Sequence, residues 1–186
     1  MRIIAGAARG RPLKGPKGPG LRPTSDRVRE SLFNILGQWL EGETVLDLFA
    51  GTGALAFEAL SRGASRAVLV DKGREALRLC HENAAALGMA ARVEILAASV
   101  DARLEGSLRG RGPFTLVFAD PPYADFTPNQ VLELLGGGSL VAPEGRVVLE
   151  HDRRAPAPEA LGAFERLDER RFGDTAVTFY RRRPIP

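Results

Sequence analysis

An acid, two prolines and a tyrosine stand together at Asp120, Pro121, Pro122 and Tyr123, directly after the apolar run of residues 115–119. Each proline fixes its own φ and pushes the residue before it out of the helical region, so Asp120 and Pro121 are extended and the turn is stiff. A carboxylate and a backbone carbonyl held rigidly at the end of a strand can accept both hydrogens of an amino group. A base bearing that amine could then stack on the aromatic ring. Alone, the tetrapeptide is equally a stiff turn after a buried strand with a core tyrosine.

A second constellation precedes it. Asp47, Leu48, Phe49, Ala50, Gly51, Thr52 and Gly53 follow one another, and two glycines there let the backbone turn tightly from strand to helix and approach a ligand closely. Asp71 ends the next apolar run, where a doubly wound fold places the acid that binds ribose hydroxyls. Nicotinamide dinucleotides and S-adenosylmethionine share that acid, and Ala56, at the third-glycine position, fits either. Asp47 discriminates between them, because a carboxylate favours a ligand presenting an ammonium and repels a pyrophosphate. Its alternative role is an acid bonded to loop amides. The amine-type turn at Asp120 gives the chain a use for a methyl donor.

Elements that would hold these residues in place are visible on both sides of them. Between residues 44 and 152, short apolar runs alternate with amphipathic stretches, the pattern of βαβ units around a parallel sheet. Strands are predicted at residues 44–49, 67–71, 93–96, 115–119 and 146–150, with helices at 54–61, 74–87 and 131–135. Residues 164–172 and 176–182 read as an antiparallel hairpin around Gly173 and Asp174. Ahead of these, Thr24 or Ser25 can cap a helix over residues 26–36. Prolines and glycines before it preclude a long helix but allow a short hairpin between residues 2–5 and 11–13. The expected fold class is α/β, a doubly wound Rossmann-like sheet, mostly parallel with an antiparallel C-terminal strand. A basic N-terminal arm at residues 1–23 precedes a domain at 24–186.

Composition narrows the function classes. One cysteine, Cys80, excludes an intrachain disulfide and a zinc site built on cysteine pairs, and the only histidines, His81 and His151, are far apart, so no metal is expected. Cys80 reads as a core side chain, which disfavours a covalent pyrimidine mechanism, and Trp39 as a packing residue. No run suits a membrane span or a signal peptide, so a cytoplasmic protein is expected, with a monomer as the simplest state. The net charge of +3 hides an asymmetry: residues 1–29 carry +7 and the remainder −4. Such a basic block is either a solvated tail or a nucleic-acid contact. The arginines at 181, 182 and 183 pose the same choice.

The run Asp47-Leu-Phe-Ala-Gly-Thr-Gly-Ala-Leu, taken with Asp120-Pro-Pro-Tyr, resembles the class I S-adenosylmethionine-dependent amino-methyltransferases. Arg2-Ile-Ile-Ala-Gly, Arg9-Gly-Arg and Leu21-Arg-Pro-Thr-Ser-Asp-Arg-Val-Arg-Glu-Ser-Leu-Phe-Asn narrow the likeness to the RsmD family, over essentially the whole chain. The resemblance implies methyl transfer from S-adenosylmethionine to the N2 amine of a guanine in 16S ribosomal RNA, free or in a small-subunit assembly intermediate. It implies Asp120, Pro121, Pro122 and Tyr123 as catalytic. The cofactor set it implies is Thr24, Asp47, Phe49, Ala50, Gly51, Gly53, Asp71, Lys72, Ser99 and Asp120, with Ser99 favoured over Asp101 for the adenine. Arg2, Arg9, Arg11, Lys14, Arg22 and Arg27 are the RNA-contact candidates. The alternatives are a DNA adenine-N6 methyltransferase, using the same turn on another amine, and a non-catalytic RNA-binding protein on this fold.

Overall fold

A computed structural model describes residues 1–16 and 25–184, and the chain divides into two compact units, Met1–Ser99 and Val100–Pro186. Thr24, Arg22 and the start of the predicted arm-to-helix connection lie outside the described residues.

In the first unit, three parallel strands lie in the order β3-β2-β1: β1 (Thr44–Leu48), β2 (Arg66–Asp71) and β3 (Val93–Ala97). Val45 aligns with Ala67 and Asp47 with Leu69, so Asp47 and Asp71 both come at the C-terminal end of this sheet. Open α/β sheets bind ligands at that end. β1 and β2 are buried along their central residues because helices cover them, whereas β3, at the edge, is partly exposed. Helix α1 (Asp26–Leu36) buries Leu32, Phe33 and Leu36, and Ser25 caps it by accepting the Val28 amide at 3.3 Å. Helix α2 (Ala54–Ser61) is buried along its whole length, and α3 (Arg74–Leu87) is amphipathic and closed by Gly88 in the left-handed conformation. A 3-10 turn (Ala90–Arg92) leads into β3.

The arm is a docked hairpin. The Ile3 amide donates to the Arg11 carbonyl at 3.0 Å and the Gly10 amide to the Ile3 carbonyl at 2.8 Å. Ile3, Ala8 and Leu13 are buried beneath it. Burying Ile3 and Leu13 contributes about 1.5–3 kcal/mol each, so this segment is part of the core of its unit.

The second unit orders its strands β4-β5-β8-β7-β6. β4 (Phe114–Ala119) runs parallel to β5 (Val141–Asp152); β8 (Thr175–Arg182), β7 (Phe164–Phe172) and β6 (Ala160–Leu161) continue antiparallel. Thus the parallel strands come first and the antiparallel ones last, as expected. β5 begins five residues before its predicted start. Pro143 and Gly145 read as strand breakers, but a register shift against β4 between Phe114 and Leu116 absorbs them, with Glu144 at φ 63°. Helix α5 (Pro128–Gly136) also starts early, because Thr127 and Gln130 form a capping box with Pro128 at the first helical position. The one-turn α4 (Leu104–Ser107) was not expected; it contains Gly106 and buries only Leu104.

Candidate active site

Of the described cofactor candidates, all but Asp120 are on the first unit. Backbone leaving β1 turns through Phe49, Gly51 and Gly53 at φ 60°, 58° and 77°. A phenylalanine in that region costs about 1–2 kcal/mol, which other contacts must offset. At Gly53 a Cβ would meet the Phe57 ring at 2.5 Å and Leu69 at 2.8 Å, so the loop approaches the helix and strand as only glycine permits.

Asp71 fastens the loop. Its Oδ2 accepts the Gly51 amide at 3.0 Å and its Oδ1 the Gly73 amide at 2.8 Å. The carboxylate is only half-buried, and each oxygen keeps acceptor capacity for a hydroxyl. Asp47 is buried, and its Oδ2 accepts the Ala56 amide at 3.2 Å in the first turn of α2. The loop-amide role is thus present at one oxygen. Ala50 is buried, whereas Lys72 and Ser99 are exposed. In the second unit, the Asp101 carboxylate accepts the Arg103 amide at 2.9 Å and pairs with its guanidinium at 2.9 Å, which holds the acid below the ordinary range.

Two further side chains support the loop from α3. Cys80 is buried, as expected of a core residue, and its thiol donates to the Gly51 carbonyl at 3.3 Å. Burial pushes that thiol up, with Asp47 and Asp71 adding to the effect, so it stays protonated. Asn83 donates to the Thr52 carbonyl at 3.0 Å.

The amine-type residues are on the second unit. Asp120 follows β4, Pro121 is buried, and the Asp125 amide closes a turn onto the Pro122 carbonyl at 3.0 Å. Tyr123 is 40% exposed, yet its hydroxyl is tied down. It donates to Glu150 Oε1 at 2.9 Å and lies 3.1 Å from Thr175 Oγ1. A carboxylate only accepts, so the phenol proton goes to Glu150 and Thr175 donates to the phenol oxygen. Burial pushes the phenol up, Thr175 pulls it down, and the Glu150 and Asp120 charges push it up again. A half-open ring with an anchored edge is not a core tyrosine.

Among the arm candidates, Arg2, Arg9 and Arg27 are exposed, and their guanidiniums form no ion pair among the described residues. Arg11 is committed otherwise, donating to the Leu87 carbonyl at 3.0 Å and to that of Ala86, at the C-terminus of α3. Lys14 pairs with Glu82 at 3.1 Å. Arg181 pairs with Glu144 and Glu165, Arg182 donates to the Val141 carbonyl, and Arg183 to that of Gly162, so these three are structural. His151 is buried and bonded to Thr178 at 2.8 Å, and His81 is exposed. Trp39 departs from expectation: it is 71% exposed, because Leu40 takes the interior place in that loop.

A family model described as "Conserved hypothetical protein 95", that of the RsmD family, matches residues 1–181. The chain belongs to the RsmD family. Within it, the Escherichia coli K12 protein named "Ribosomal RNA small subunit methyltransferase D" is 36% identical over 184 residues, covering 98% of this chain and 90% of that protein. The solved structure of the Escherichia coli protein yhhF aligns with a TM-score of 0.84 at 33% identity, covering 98% of each chain. An RNA methyltransferase from Salinibacter ruber in complex with S-adenosyl-L-homocysteine aligns with a TM-score of 0.63 at 17% identity, over 89% of this chain and 97% of that one. At that identity the likeness is one of fold: a mixed α/β methyltransferase sheet, as the RsmD-type motifs imply. No helix among the described residues is long and apolar enough to cross a membrane.

Proposed function

We propose that this chain transfers a methyl group from S-adenosylmethionine to the exocyclic N2 amine of a guanine in small-subunit ribosomal RNA, acting as a monomer on the free 16S RNA or an assembly intermediate. Residues 24–186 form the catalytic domain in this reading, and the arm at 1–23 meets the RNA. The observation that carries it is the anchored Tyr123 ring on the stiff turn that begins at Asp120. Family membership, and a relative named as a small-subunit ribosomal RNA methyltransferase along nearly its whole length, support the substrate class.

The donor set on the first unit fits the cofactor. Asp71 is pre-oriented by two amides to accept ribose hydroxyls, and the positive-φ loop can approach the methionine part closely. Asp47, Phe49, Ala50, Gly51 and Gly53 line that end; Lys72 and Ser99 serve the adenine, Asp101 being spent on Arg103; and Thr24 joins the cofactor set by the family resemblance alone. S-Adenosylmethionine supplies an electrophilic methyl on a sulfonium, which departs as a neutral thioether.

The guanine amine is a poor nucleophile because its lone pair is delocalised into the ring. Asp120 and the Pro121 carbonyl accept its two hydrogens, favour pyramidalisation and aim the lone pair at the methyl, while Pro122 keeps the turn rigid. As the N–C bond forms, the nitrogen becomes cationic, and one proton leaves through the Asp120 carboxylate to water. Tyr123 stacks on the base, which must be splayed from the RNA at a cost of a few kcal/mol. Phosphate contacts from Arg2, Arg9, Arg22 and Arg27 offset that cost, with Arg11 and Lys14 adding positive field.

The test is incubation of purified protein with tritiated S-adenosylmethionine and ribosomal RNA, assembled small subunits or DNA, followed by nucleoside analysis. Label is expected in N2-methylguanosine; label in N6-methyladenine from DNA would overturn the assignment.

A further inference from the structure

Asn83 has no exposed surface, and its carboxamide faces two segments remote from each other in sequence. Oδ1 accepts the Lys14 amide at 2.8 Å, while Nδ2 donates to the Lys14 carbonyl at 3.0 Å and to the Thr52 carbonyl at 3.0 Å. An amide only donates and the two carbonyls only accept, so the network itself fixes which end of the carboxamide is oxygen. One partner belongs to the hairpin arm. The other lies between Gly51 and Gly53 in the loop whose amide binds Asp71. Cys80, nearly one turn earlier on α3, takes the neighbouring Gly51 carbonyl, so two consecutive loop carbonyls are held by one helix.

We infer that Asn83 is a positioning residue for the cofactor loop, bonding it to the backbone of Lys14 so that the seat of the arm is part of the cofactor site. The inference rests on the cofactor reading of that loop given above. Its physical ground is the strained backbone at Phe49 and the left-handed turns at Gly51 and Gly53, which persist only where neighbouring bonds over-determine them. Without the carboxamide, a buried Thr52 carbonyl and both the N–H and the C=O of Lys14 lose their partner, and the loop relaxes to recover hydrogen bonds. The arm, read from composition as an RNA contact, thereby acquires a second task.

Titration calorimetry with S-adenosylhomocysteine on the full chain tests this. Asn83→Ala is expected to raise Kd about tenfold, the size of effect that buried unsatisfied groups produce, with kcat at saturating S-adenosylmethionine and RNA retained within about twofold. Glu82→Ala removes the exposed ion pair to Lys14 but leaves the carboxamide bonds, and should leave Kd unchanged. Hydrogen exchange on the wild-type chain is independent of whether a variant folds: saturating S-adenosylhomocysteine should slow exchange of the Lys14 amide several-fold. An unchanged Kd in Asn83→Ala, or a Lys14 amide indifferent to ligand, overturns the inference while the functional reading stands. A wild-type chain that binds no S-adenosylhomocysteine overturns both.

Discussion

Removing the Asp120 carboxylate should stop the chemistry without loosening the cofactor, because its proposed work is done on the amine. Asp120→Ala is expected to lower kcat by at least ~10²–10³-fold, the loss seen when a pre-organised polar group facing the reacting centre is deleted. S-Adenosylhomocysteine affinity should stay within about threefold by calorimetry; a large loss there would reassign the residue to the cofactor. Tyr123 allows a finer cut. Tyr123→Phe keeps the ring but removes the bonds to Glu150 and Thr175, so the platform remains while its orientation is freed. A fall of about tenfold in kcat/KM for RNA is expected, with the KM for S-adenosylmethionine unmoved. A variant as active as wild type would reduce the anchor to an incidental contact. That anchor left no trace in the sequence, since Thr175 stands 52 positions from Tyr123 and becomes its neighbour only through the β5–β8 pairing. Asp71 and the glycines were legible because a strand-turn-helix unit is local, whereas Asn83 carried no signal, being one polar residue among the apolar positions of α3.

At the scale of elements, the hairpin arm is held by a buried carboxylate. Glu58, with no exposed surface, accepts the Ile4 amide at 2.8 Å, the Ala5 amide at 3.0 Å and Arg62 Nε at 2.9 Å. Arg29, equally buried, lies 3.9 Å away and donates to the Arg2 carbonyl at 2.8 Å, while its Nε and Nη1 have no hydrogen-bond partner. Glu58→Ala therefore strands the buried Arg62 guanidinium and two hairpin amides, and removes one of two carboxylates near Arg29, which keeps Asp26 at 2.6 Å. It should destabilise the chain by about 3–5 kcal/mol in urea denaturation, whereas Arg78→Ala, which breaks the exposed pairs to Glu75 and Glu82, should leave the urea midpoint nearly unchanged. Equal effects would mean that the cluster is hydrated. Deleting the arm is accordingly a poor probe of RNA binding, because it removes the buried Ile3 and Leu13 from the core of the first unit. Arg9→Ala and Arg27→Ala spare the core; each should weaken RNA binding and flatten the slope of log affinity against log salt by about 0.7–0.9. An unchanged slope would make the basic block a solvated surface. Composition located that block, but only burial distinguishes a docked hairpin from a tail. The same limit hid the full length of β5, where Pro143 and Gly145 sit in a bulge that pairing tolerates and local propensity does not reveal.

Across the whole molecule, two tyrosines are the only phenols, and both are displaced in the same direction. Burial pushes Tyr180 up to about 12, with Arg166 drawing it down and Glu169 raising it, and its hydroxyl donates to the Pro158 carbonyl at 2.9 Å. Tyr123 is raised by burial too, with smaller contributions from its neighbours. In the unfolded chain both should ionise near pH ~10. The folded form then holds more protons than the unfolded one above that pH, so stability falls as pH rises. What these phenols contribute is fully present below pH ~10 and is lost as pH climbs through about 12, the folded value at Tyr180. For the fully buried Tyr180 the loss amounts to roughly 2–3 kcal/mol, and the urea midpoint should drop across that window. Tyr180→Phe should flatten the drop, because phenylalanine has no proton to lose. Ultraviolet titration of tyrosinate gives the direct reading: both phenols protonated in the native chain at pH ~10.5, and both more than half ionised in denaturant. A native titration that matches the denatured one would mean that neither ring is withdrawn from water. Tyr123 would then not be seated on Glu150, and its proposed role as a stacking platform would fall.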